Sequence, residues 1–284
     1  MTSPKEIIQN YGIKPRKKLG QSFLIDQNII QKIASAAGIT KDDIVVEIGA
    51  GIGVLTECLA RQSRMLIAVE LDKNLIEVLK EKLAGLDNVE IHSGDILNFD
   101  FNSISNIYNS KLKVVGNVPY NISSPLIFRL LNFRSVIDDF ILMLQKEVVE
   151  RLVAVPNNKS YGVPSVLLQM FASVDKIFDV PASCFFPQPK VESAVIRGDF
   201  LDKPVMELTD PVFFTQVVKA SFAQRRKMLN NNLKNAKILK ILSAEDLGSA
   251  LEAAGIDGKR RGETLTIEEF GHLSNILKQK QEMI

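Results

Sequence analysis

A glycine-rich turn follows the first clearly apolar run of the chain. Residues 47–53 read EIGAGIG, and a helical pattern begins directly after them at Val54. Glycines at this spacing allow a tight turn in which backbone N–H groups approach a ligand closely. A dinucleotide-binding fingerprint would have glycine or alanine at position 54 and does not include an acidic residue before Gly49. The segment therefore predicts a ligand-binding turn, with Gly49 and Gly51 at its centre, that differs from the dinucleotide type.

Two carboxylates stand at the ends of the next two apolar runs. Glu70 ends the run 65–70, and Asp95 follows the run 89–93. In an open α/β sheet, ligands bind outside the carboxyl ends of the strands, where these groups and the glycine turn would meet. The pattern E-x-G-x-G-x-G over residues 47–53 resembles motif I of class I S-adenosylmethionine-dependent methyltransferases. This resemblance implies that Glu70 accepts hydrogen bonds from both hydroxyls of a ribose and that Asp95 accepts one from an adenine amine. The alternative is that Glu70 caps the following helix and Asp95 is a turn residue.

A fourth apolar run ends in Asn117-Val118-Pro119-Tyr120. An amine such as adenine N6 is a poor nucleophile, because its lone pair is conjugated into the ring. The side-chain oxygen of Asn117 and the carbonyl of Val118 could accept its two hydrogens and favour a pyramidal, more reactive nitrogen. Pro119 fixes the local backbone, and Tyr120 offers a ring face to an unstacked base. The motif predicts a site that activates an aromatic amine, although a plain turn with a packed tyrosine would have the same sequence.

The elements that must position these groups alternate between strand-like and helical patterns from Ile44 to about Phe200. This alternation is typical of βα units around a mainly parallel sheet. Beyond Phe200 the strand pattern fades and the chain reads as helices. We therefore predict a doubly wound α/β domain over residues 1–205 and a small all-α domain over residues 206–284. The predicted strands are 44–48, 65–70, 89–93, 113–117, 139–144, 174–180 and 193–200, and the predicted helices include 54–62, 74–85, 124–133, 210–235, 243–255 and 266–281.

The composition is that of a folded globular protein. Hydrophobic residues make up 46% and charged residues 24% of the 284 positions, which excludes a disordered chain. Apolar runs are far shorter than the ~20 residues of a membrane span, and the N-terminus lacks a signal-peptide pattern. We therefore expect no membrane association and a cytoplasmic address. Two cysteines and two histidines provide neither a disulfide framework nor a histidine-rich metal site, so no metal is expected.

Basic residues are concentrated in two segments, although the net charge is only +2. Residues 211–244 carry seven Lys or Arg and no Asp or Glu, and residues 1–20 carry five basic residues against one Glu. Such local surpluses are typical of surfaces that bind a phosphate backbone, although a solvated helical face would also produce them. The candidate phosphate-binding residues are Lys14, Arg16, Lys17, Lys18, Arg225, Arg226 and Lys227.

Motifs along nearly the whole chain occur in one characteristic order. They are KKLGQSFL (17–24), VEIGAGIG, VELD, SGDI, GNVPYNIS (116–123), LQKEVVERL (144–152), FFPQPKVESAV (185–195), SFAQRRKMLNNNL (221–233) and RRGETLT (260–266). As a set they resemble the KsgA (RsmA) family of small-subunit ribosomal RNA adenine N6,N6-dimethyltransferases. The resemblance implies a Rossmann-like class I S-adenosylmethionine-dependent methyltransferase domain followed by a small C-terminal all-α domain that binds RNA.

The resemblance also implies the reaction and its partners. The expected substrate is 16S rRNA in the small ribosomal subunit, where two adjacent adenosines in the loop of the 3′-terminal hairpin are each dimethylated at N6. The methyl donor would be S-adenosyl-L-methionine, the product S-adenosyl-L-homocysteine, and the enzyme a monomer with a role in small-subunit biogenesis.

Individual residues receive roles by the same resemblance. Tyr120 and Phe185 would hold the target adenine between them, with Phe186 as the neighbouring candidate for the second ring. The family usually has leucine at position 118, a change that matters little if only the backbone carbonyl of Val118 acts. The implied cofactor-binding residues are Ser22, Leu24, Gly49, Gly51, Glu70, Asp95, Ile96 and Asn117, and the implied catalytic residues are Asn117, Val118, Pro119, Tyr120 and Phe185.

Three other functions share part of these motifs. An Erm-like 23S rRNA adenine-N6 dimethyltransferase has a similar glycine turn and acceptor motif, but the segments 144–152, 185–195 and 260–266 look more like the small-subunit family. An adenine-N6 DNA methyltransferase would carry a different acceptor motif and a target-recognition domain. A mainly non-catalytic ribosome assembly factor would not need Glu70, Asp95 and Asn117, although an assembly role can coexist with catalysis.

Overall fold

The computed structural model describes residues 4–283, apart from the side chain of Lys17. The chain divides into two compact units. The first contains residues up to 149 and Val174–Phe200, and the second contains Glu150–Ser173 and the residues after Phe200. The second unit therefore includes a segment from the middle of the chain as well as the C-terminal helices.

A seven-stranded sheet forms the centre of the first unit, and a two-stranded sheet lies beside it. The strands are β1 (Phe23–Leu24), β2 (Ile44–Ile48), β3 (Met65–Glu70), β4 (Val89–Ser93), β5 (Leu112–Asn117), β6 (Ile137–Gln145), β7 (Ala172–Val180), β8 (Phe185–Phe186) and β9 (Ser193–Phe200). The large sheet has the order β4-β3-β2-β5-β6-β9-β7. From β4 to β6 the strands are parallel, whereas β9 runs antiparallel to β6. All five residues of β2 are buried, as expected for a central strand that is covered on both faces.

Twelve helices are found among the described residues. They are α1 (Pro4–Asn10), α2 (Gln27–Ala36), α3 (Val54–Ala60), α4 (Lys73–Leu83), α5 (Phe101–Tyr108), α6 (Ser123–Asn132), α7 (Lys146–Leu152), α8 (Val163–Gln169), α9 (Pro211–Ser221), α10 (Leu229–Lys234), α11 (Ala244–Ala253) and α12 (Ile267–Glu282). Aspartates begin three of those in the first unit: the carboxylates of Asp26, Asp72 and Asp100 accept backbone N–H groups in the first turns of α2, α4 and α5.

The predicted fold class is confirmed, and all seven predicted strands are present. Their ends differ by no more than two residues, as with β6, which spans 137–145 instead of 139–144. The sequence boundary at 205/206 differs from the compact units, which separate after Phe200. The sequence prediction also assigned residues 150–173 to the first domain, whereas the structure groups them with the C-terminal helices. In the second unit α8 packs against α9, and the Asn157 N–H donates to the Glu263 carbonyl.

The prediction of one helix over 210–235 is wrong. Helix α9 ends at Ser221, and α10 begins at Leu229. The basic residues 225–227 lie in the loop between these two helices. The Asn232 side chain donates to the carbonyls of Ser221 and Gln224, which holds the turn. Gly262 lies so close to the end of α9 that an added Cβ would stand 2.7 Å from the Ser221 carbonyl oxygen. Tertiary contacts between distant segments thus override local helix propensity.

Candidate active site

The carboxyl ends of the parallel strands surround an open cavity in the first unit. The strand order reverses between β2 and β5, which is where open α/β sheets bind their ligands. The predicted site residues that line the cavity are Ser22, Gly49, Gly51, Glu70, Asp95, Ile96, Asn117, Val118, Pro119 and Tyr120. Five separate chain segments therefore meet here.

The glycine turn between β2 and α3 adopts a conformation that favours glycine. Gly49, Gly51 and Gly53 have φ angles of 67°, 59° and 71°, which lie in the left-handed region. A Cβ added at Gly51 would stand 3.5 Å from the Phe23 ring. The turn is fixed at its start because the Gly49 N–H donates to the Val69 carbonyl. Backbone and not side chains therefore forms this wall of the cavity.

Glu70 connects the glycine turn to the start of α4. Its Oε2 accepts the Gly51 N–H at 2.8 Å, and its Oε1 accepts the N–H groups of Leu71 and Asp72 at 2.9 and 2.8 Å. Burial raises the pKa of this carboxyl, and the three backbone donors oppose the shift. A carboxylate has about four acceptor sites, so one remains on Oε2 for an outside donor. Two ribose hydroxyls were expected at Glu70, and the structure leaves one acceptor site of its carboxylate open.

Asp95 and Ile96 form the next part of the cavity wall. The Asp95 Oδ1 accepts the Leu97 N–H at 2.9 Å and so caps the short turn after β4. The Ile96 side chain is buried and gives this part of the cavity an apolar surface. Among the described residues, no donor is bonded to the Asp95 Oδ2. This oxygen is therefore available to a ligand amine.

Asn117 is held at the end of β5 by the segment that precedes β1. Its Nδ2 donates to the Ser22 carbonyl at 3.1 Å, which fixes the orientation of the side-chain amide. Within residues 4–283, nothing donates to its Oδ1. Val118 lines the cavity, although the residue as a whole is 1% exposed. Asn117 thus presents an acceptor beside the glycine turn.

Tyr120 lies in a short turn after Pro119 and is one of the residues that line the cavity. Its hydroxyl is 2.7 Å from the Ser193 Oγ. Burial raises the pKa of the Tyr120 phenol, so the ring is uncharged at neutral pH. A half-buried neutral ring is suited to stack on a planar base.

The residues that line the cavity do not include Phe185 or Leu24, for which the resemblance implies roles in the site. Strands β1 and β8 pair antiparallel, with Leu24 opposite Phe185 and Phe23 opposite Phe186. Since alternate residues of a strand point to opposite faces, Phe185 and Leu24 enter the core and are 3% and 8% exposed. Phe186 points outward and is 44% exposed. Of the two aromatic rings, Phe186 is therefore the one with free surface.

The segment before β1 contains cavity residues that sequence reasoning missed. The Gln21 Nε2 donates to the Asp72 Oδ2 at 2.9 Å, and its Oε1 accepts the Arg16 N–H at 2.7 Å. Arg16 also pairs with Asp72 at 3.3 Å, so part of its predicted charge is used within the protein. Gln21 lies within the motif KKLGQSFL (17–24). This motif was the sequence signal that could have identified Gln21 as a site residue. Lys14 and Lys18 are exposed, and the predicted side chain of Lys17 lies outside the described residues.

The predicted basic residues of the second unit differ in their surroundings. The Arg225 Nε donates to the Glu263 Oε2 at 2.6 Å. Arg226 and Lys227 are exposed and, in the described part of the chain, have no carboxylate within ion-pair distance. Only these last two therefore offer an uncompensated charge.

Two further features bear on the class of site. The described residues contain no group of three or more His, Cys, Asp or Glu side chains that could hold a metal ion. Among residues 4–283, no helix combines the length and the hydropathy that a membrane crossing requires.

Glu47 is a buried carboxyl beneath the glycine turn, and we expect Glu47→Gln to change the pH dependence of stability. The side chain is 2% exposed and its Oε2 has no partner among the described residues. Burial raises its pKa from 4.5 to about 8, so the folded state holds a proton that the unfolded state releases between these values. Wild-type stability is therefore lost as the pH rises through this window.

Glutamine cannot ionise and avoids that loss. Chemical denaturation gives the free energy of unfolding of Glu47→Gln relative to the wild type, near pH 4.5 and again above pH 8. This difference should be at least about 1 kcal/mol more favourable to Glu47→Gln at the higher pH. An equal change at both pH values would show that ionisation of Glu47 is not the cause.

Comparison with known proteins gives a consistent family. The model of the family described as "Ribosomal RNA adenine dimethylase" matches residues 12–279. A "Ribosomal RNA small subunit methyltransferase A" of Bacillus cereus (strain B4264) is 44% identical over 276 residues, which cover 96% of this chain and 94% of that protein. A protein of the same name from Bacillus mycoides (strain KBAB4) has the same identity and coverage.

Solved structures with a similar fold include a dimethyladenosine transferase and a 23S rRNA methyltransferase. A dimethyladenosine transferase from Plasmodium falciparum has a TM-score of 0.79 and 27% identity and covers 91% of this chain and 98% of its own. The 23S rRNA methyltransferase ErmE has a TM-score of 0.69 and 26% identity and covers 90% of this chain and 100% of its own. The family match and the 44% relatives together show that this chain belongs to the ribosomal RNA adenine dimethylase family.

Proposed function

We propose that this protein dimethylates the N6 amines of two adjacent adenosines in the loop of the 3′-terminal hairpin of 16S rRNA. The observation that carries the proposal is the cavity in which the open Oδ1 of Asn117 lies beside the Tyr120 ring, the glycine turn and Glu70. Relatives that are 44% identical over nearly the whole chain carry the name small subunit methyltransferase, which supports the small subunit as the substrate particle. We further propose that the enzyme acts as a monomer during small-subunit biogenesis.

The cofactor that fits these residues is S-adenosyl-L-methionine, which supplies an electrophilic methyl group on a sulfonium. Glu70 would accept a ribose hydroxyl on its open Oε2 site, and Asp95 would accept an amine hydrogen of the adenine on Oδ2. Ile96 provides the apolar surface that an adenine ring requires. The backbone of Gly49 and Gly51 would lie against the amino-acid part, because no side chain intervenes. No metal has a role in this proposal.

The acceptor amine is activated by hydrogen-bond acceptors of the chain. Asn117 Oδ1 and the Val118 carbonyl accept the two N6 hydrogens, which draws the nitrogen lone pair out of conjugation and directs it toward the methyl carbon. The methylated nitrogen is a strong acid and loses its proton without a dedicated base. Alignment of the reacting atoms is then the main catalytic contribution, which can reach ~7–11 kcal/mol.

The target base needs stacking surfaces once it leaves the RNA stack. Tyr120 provides one such face, since it lines the cavity. For the second face we propose Phe186 and not Phe185, because Phe186 is 44% exposed whereas Phe185 is 3% exposed and packs in the core. This choice departs from the motif-based expectation.

RNA binding should depend on the uncompensated charges of the second unit. We expect Arg226→Ala/Lys227→Ala to weaken binding to small subunits and to reduce the slope of log affinity against log salt by roughly 0.7–0.9 for each lost phosphate contact. Arg225→Ala should change the slope less, because Arg225 is already paired with Glu263 at 2.6 Å. Filter binding at several salt concentrations measures the affinity of each variant and the slope of its salt dependence. An unchanged slope in the double variant would show that these residues do not contact phosphate.

The alternatives make different predictions in one experiment. Purified small subunits that lack the modification, large subunits and duplex DNA are each incubated with the protein and labelled cofactor, and the nucleosides are then analysed. We expect N6,N6-dimethyladenosine on small subunits alone. Label on large subunits would favour the Erm-like reading, and tight small-subunit binding without label would favour a non-catalytic assembly factor.

A further inference from the structure

Ser193 is a buried serine whose hydroxyl meets the candidate acceptor site. It is the first residue of β9, it lies opposite Gln145 at the end of β6, and it is 0% exposed. Its Oγ stands 2.7 Å from the Tyr120 hydroxyl. Among the described residues this is the one hydrogen bond in which either hydroxyl takes part. A buried hydroxyl and a half-buried phenol thus satisfy each other.

The start of β9 is itself held firmly. The Lys146 N–H donates to the Glu192 carbonyl at 3.1 Å, and the Lys146 Nζ donates to the Glu192 carboxylate at 2.9 Å. The residue next to Ser193 is therefore fixed to the chain that leaves β6. Because Ser193 lies within a sheet, its Oγ has little freedom to follow a moving tyrosine.

Tyr120 is anchored at two ends by these contacts. Its backbone carbonyl accepts the Ser123 hydroxyl at 3.2 Å, and its phenol is bonded to Ser193. A tyrosine ring attached only at Cα can swing between rotamers about χ1. A hydrogen bond at the far end of the ring removes that freedom and fixes the direction of the ring axis relative to Asn117.

We infer that Ser193 is a positioning residue that sets the direction of the Tyr120 ring and thereby places the target base in line with the methyl group. This inference rests on the proposed function, because it presumes that a base stacks on Tyr120. Ser193 does not line the cavity, so it acts through Tyr120 and not on the base. Loss of the bond leaves the ring present but loosely placed, and a misplacement of about 1 Å can cost up to ~10²-fold in rate.

The test compares Ser193→Ala, Tyr120→Phe and the double variant with the wild type. Single-turnover methyl transfer to small subunits is measured at saturating cofactor, and affinity for S-adenosyl-L-homocysteine is measured by calorimetry. Each single variant should lower the transfer rate about tenfold. The affinity for S-adenosyl-L-homocysteine should change less than twofold. The double variant should be no slower than either single variant, because both remove the same bond.

Two more variants separate positioning from general stability. Ser193→Thr keeps the hydroxyl and should restore most of the wild-type rate. Ser105→Ala is the matched control, since Ser105 is a buried serine of the same unit whose hydroxyl donates to the Ser110 carbonyl at 2.8 Å; it should transfer methyl groups at the wild-type rate.

Wild-type rates in Ser193→Ala, or losses that multiply in the double variant, would overturn the inference. If Ser193→Ala does not fold, Tyr120→Phe decides alone, and an unchanged rate in that variant overturns the inference equally. Absence of transfer by the wild type would instead refute the proposed function.

Discussion

Asn117→Ala should lower the rate of methyl transfer by about 10²–10³-fold, the loss typical when one preorganised hydrogen-bond partner of the reacting group is removed. The Asn117 Nδ2 is held by the Ser22 carbonyl at 3.1 Å, which leaves Oδ1 open in the cavity. Alanine removes the acceptor for the amine but leaves the glycine turn, Glu70 and Asp95 intact. Cofactor affinity should therefore fall by much less than the rate.

Single-turnover kinetics and calorimetric binding measure the two losses separately. Asn102→Ala, an exposed change on α5, serves as the control and should match the wild type in both. Equal losses in rate and in cofactor affinity for Asn117→Ala would show that Asn117 is chiefly a cofactor ligand.

Glu70→Ala should lower cofactor affinity by about 10²-fold, because hydrogen bonds to a charged group contribute roughly 1.5–3 kcal/mol each. The substitution removes the open Oε2 site and also the acceptor that holds the Gly51 N–H at 2.8 Å. The N–H groups of Leu71 and Asp72 lose their partner as well, so the midpoint of thermal unfolding should fall.

Calorimetric titration with S-adenosyl-L-homocysteine is the direct measurement for Glu70→Ala. Glu77→Ala is a suitable control, since Glu77 lies on the adjacent α4 and its carboxylate, among the described residues, makes only an exposed ion pair with Lys80. An affinity within threefold of the wild type, in a folded Glu70→Ala protein, would exclude Glu70 from the cofactor site.

The sheet and the cavity were predictable because their signals are local. The runs that became β2, β3 and β4 end next to the glycine turn, Glu70 and Asp95, and parallel strands bring their carboxyl ends to one edge. The resemblance of the glycine turn to a methyltransferase motif then implied an adenosine-containing cofactor.

Other features depend on pairings between distant segments, which periodicity does not reveal. Phe185 and Phe186 are equivalent in sequence terms, and only the pairing of β8 with β1 decides that Phe185 is buried. The bond between Tyr120 and Ser193 joins residues 73 positions apart. Likewise, the loop after α9 forms because Asn232 and Gly262 contact Ser221, whereas the local sequence favours a continuous helix.

The most direct test of the account is to map the methyl groups on 16S rRNA. Small subunits that lack the modification are incubated briefly with the protein and S-adenosyl-L-methionine, and RNA fragments from the 3′-terminal hairpin are analysed by mass spectrometry, with the slow variant Asn117→Ala as the control. We expect two methyl groups on each of two adjacent adenosines, and no methylation elsewhere. Methyl groups on other nucleotides, or on 23S rRNA alone, would contradict the proposed function.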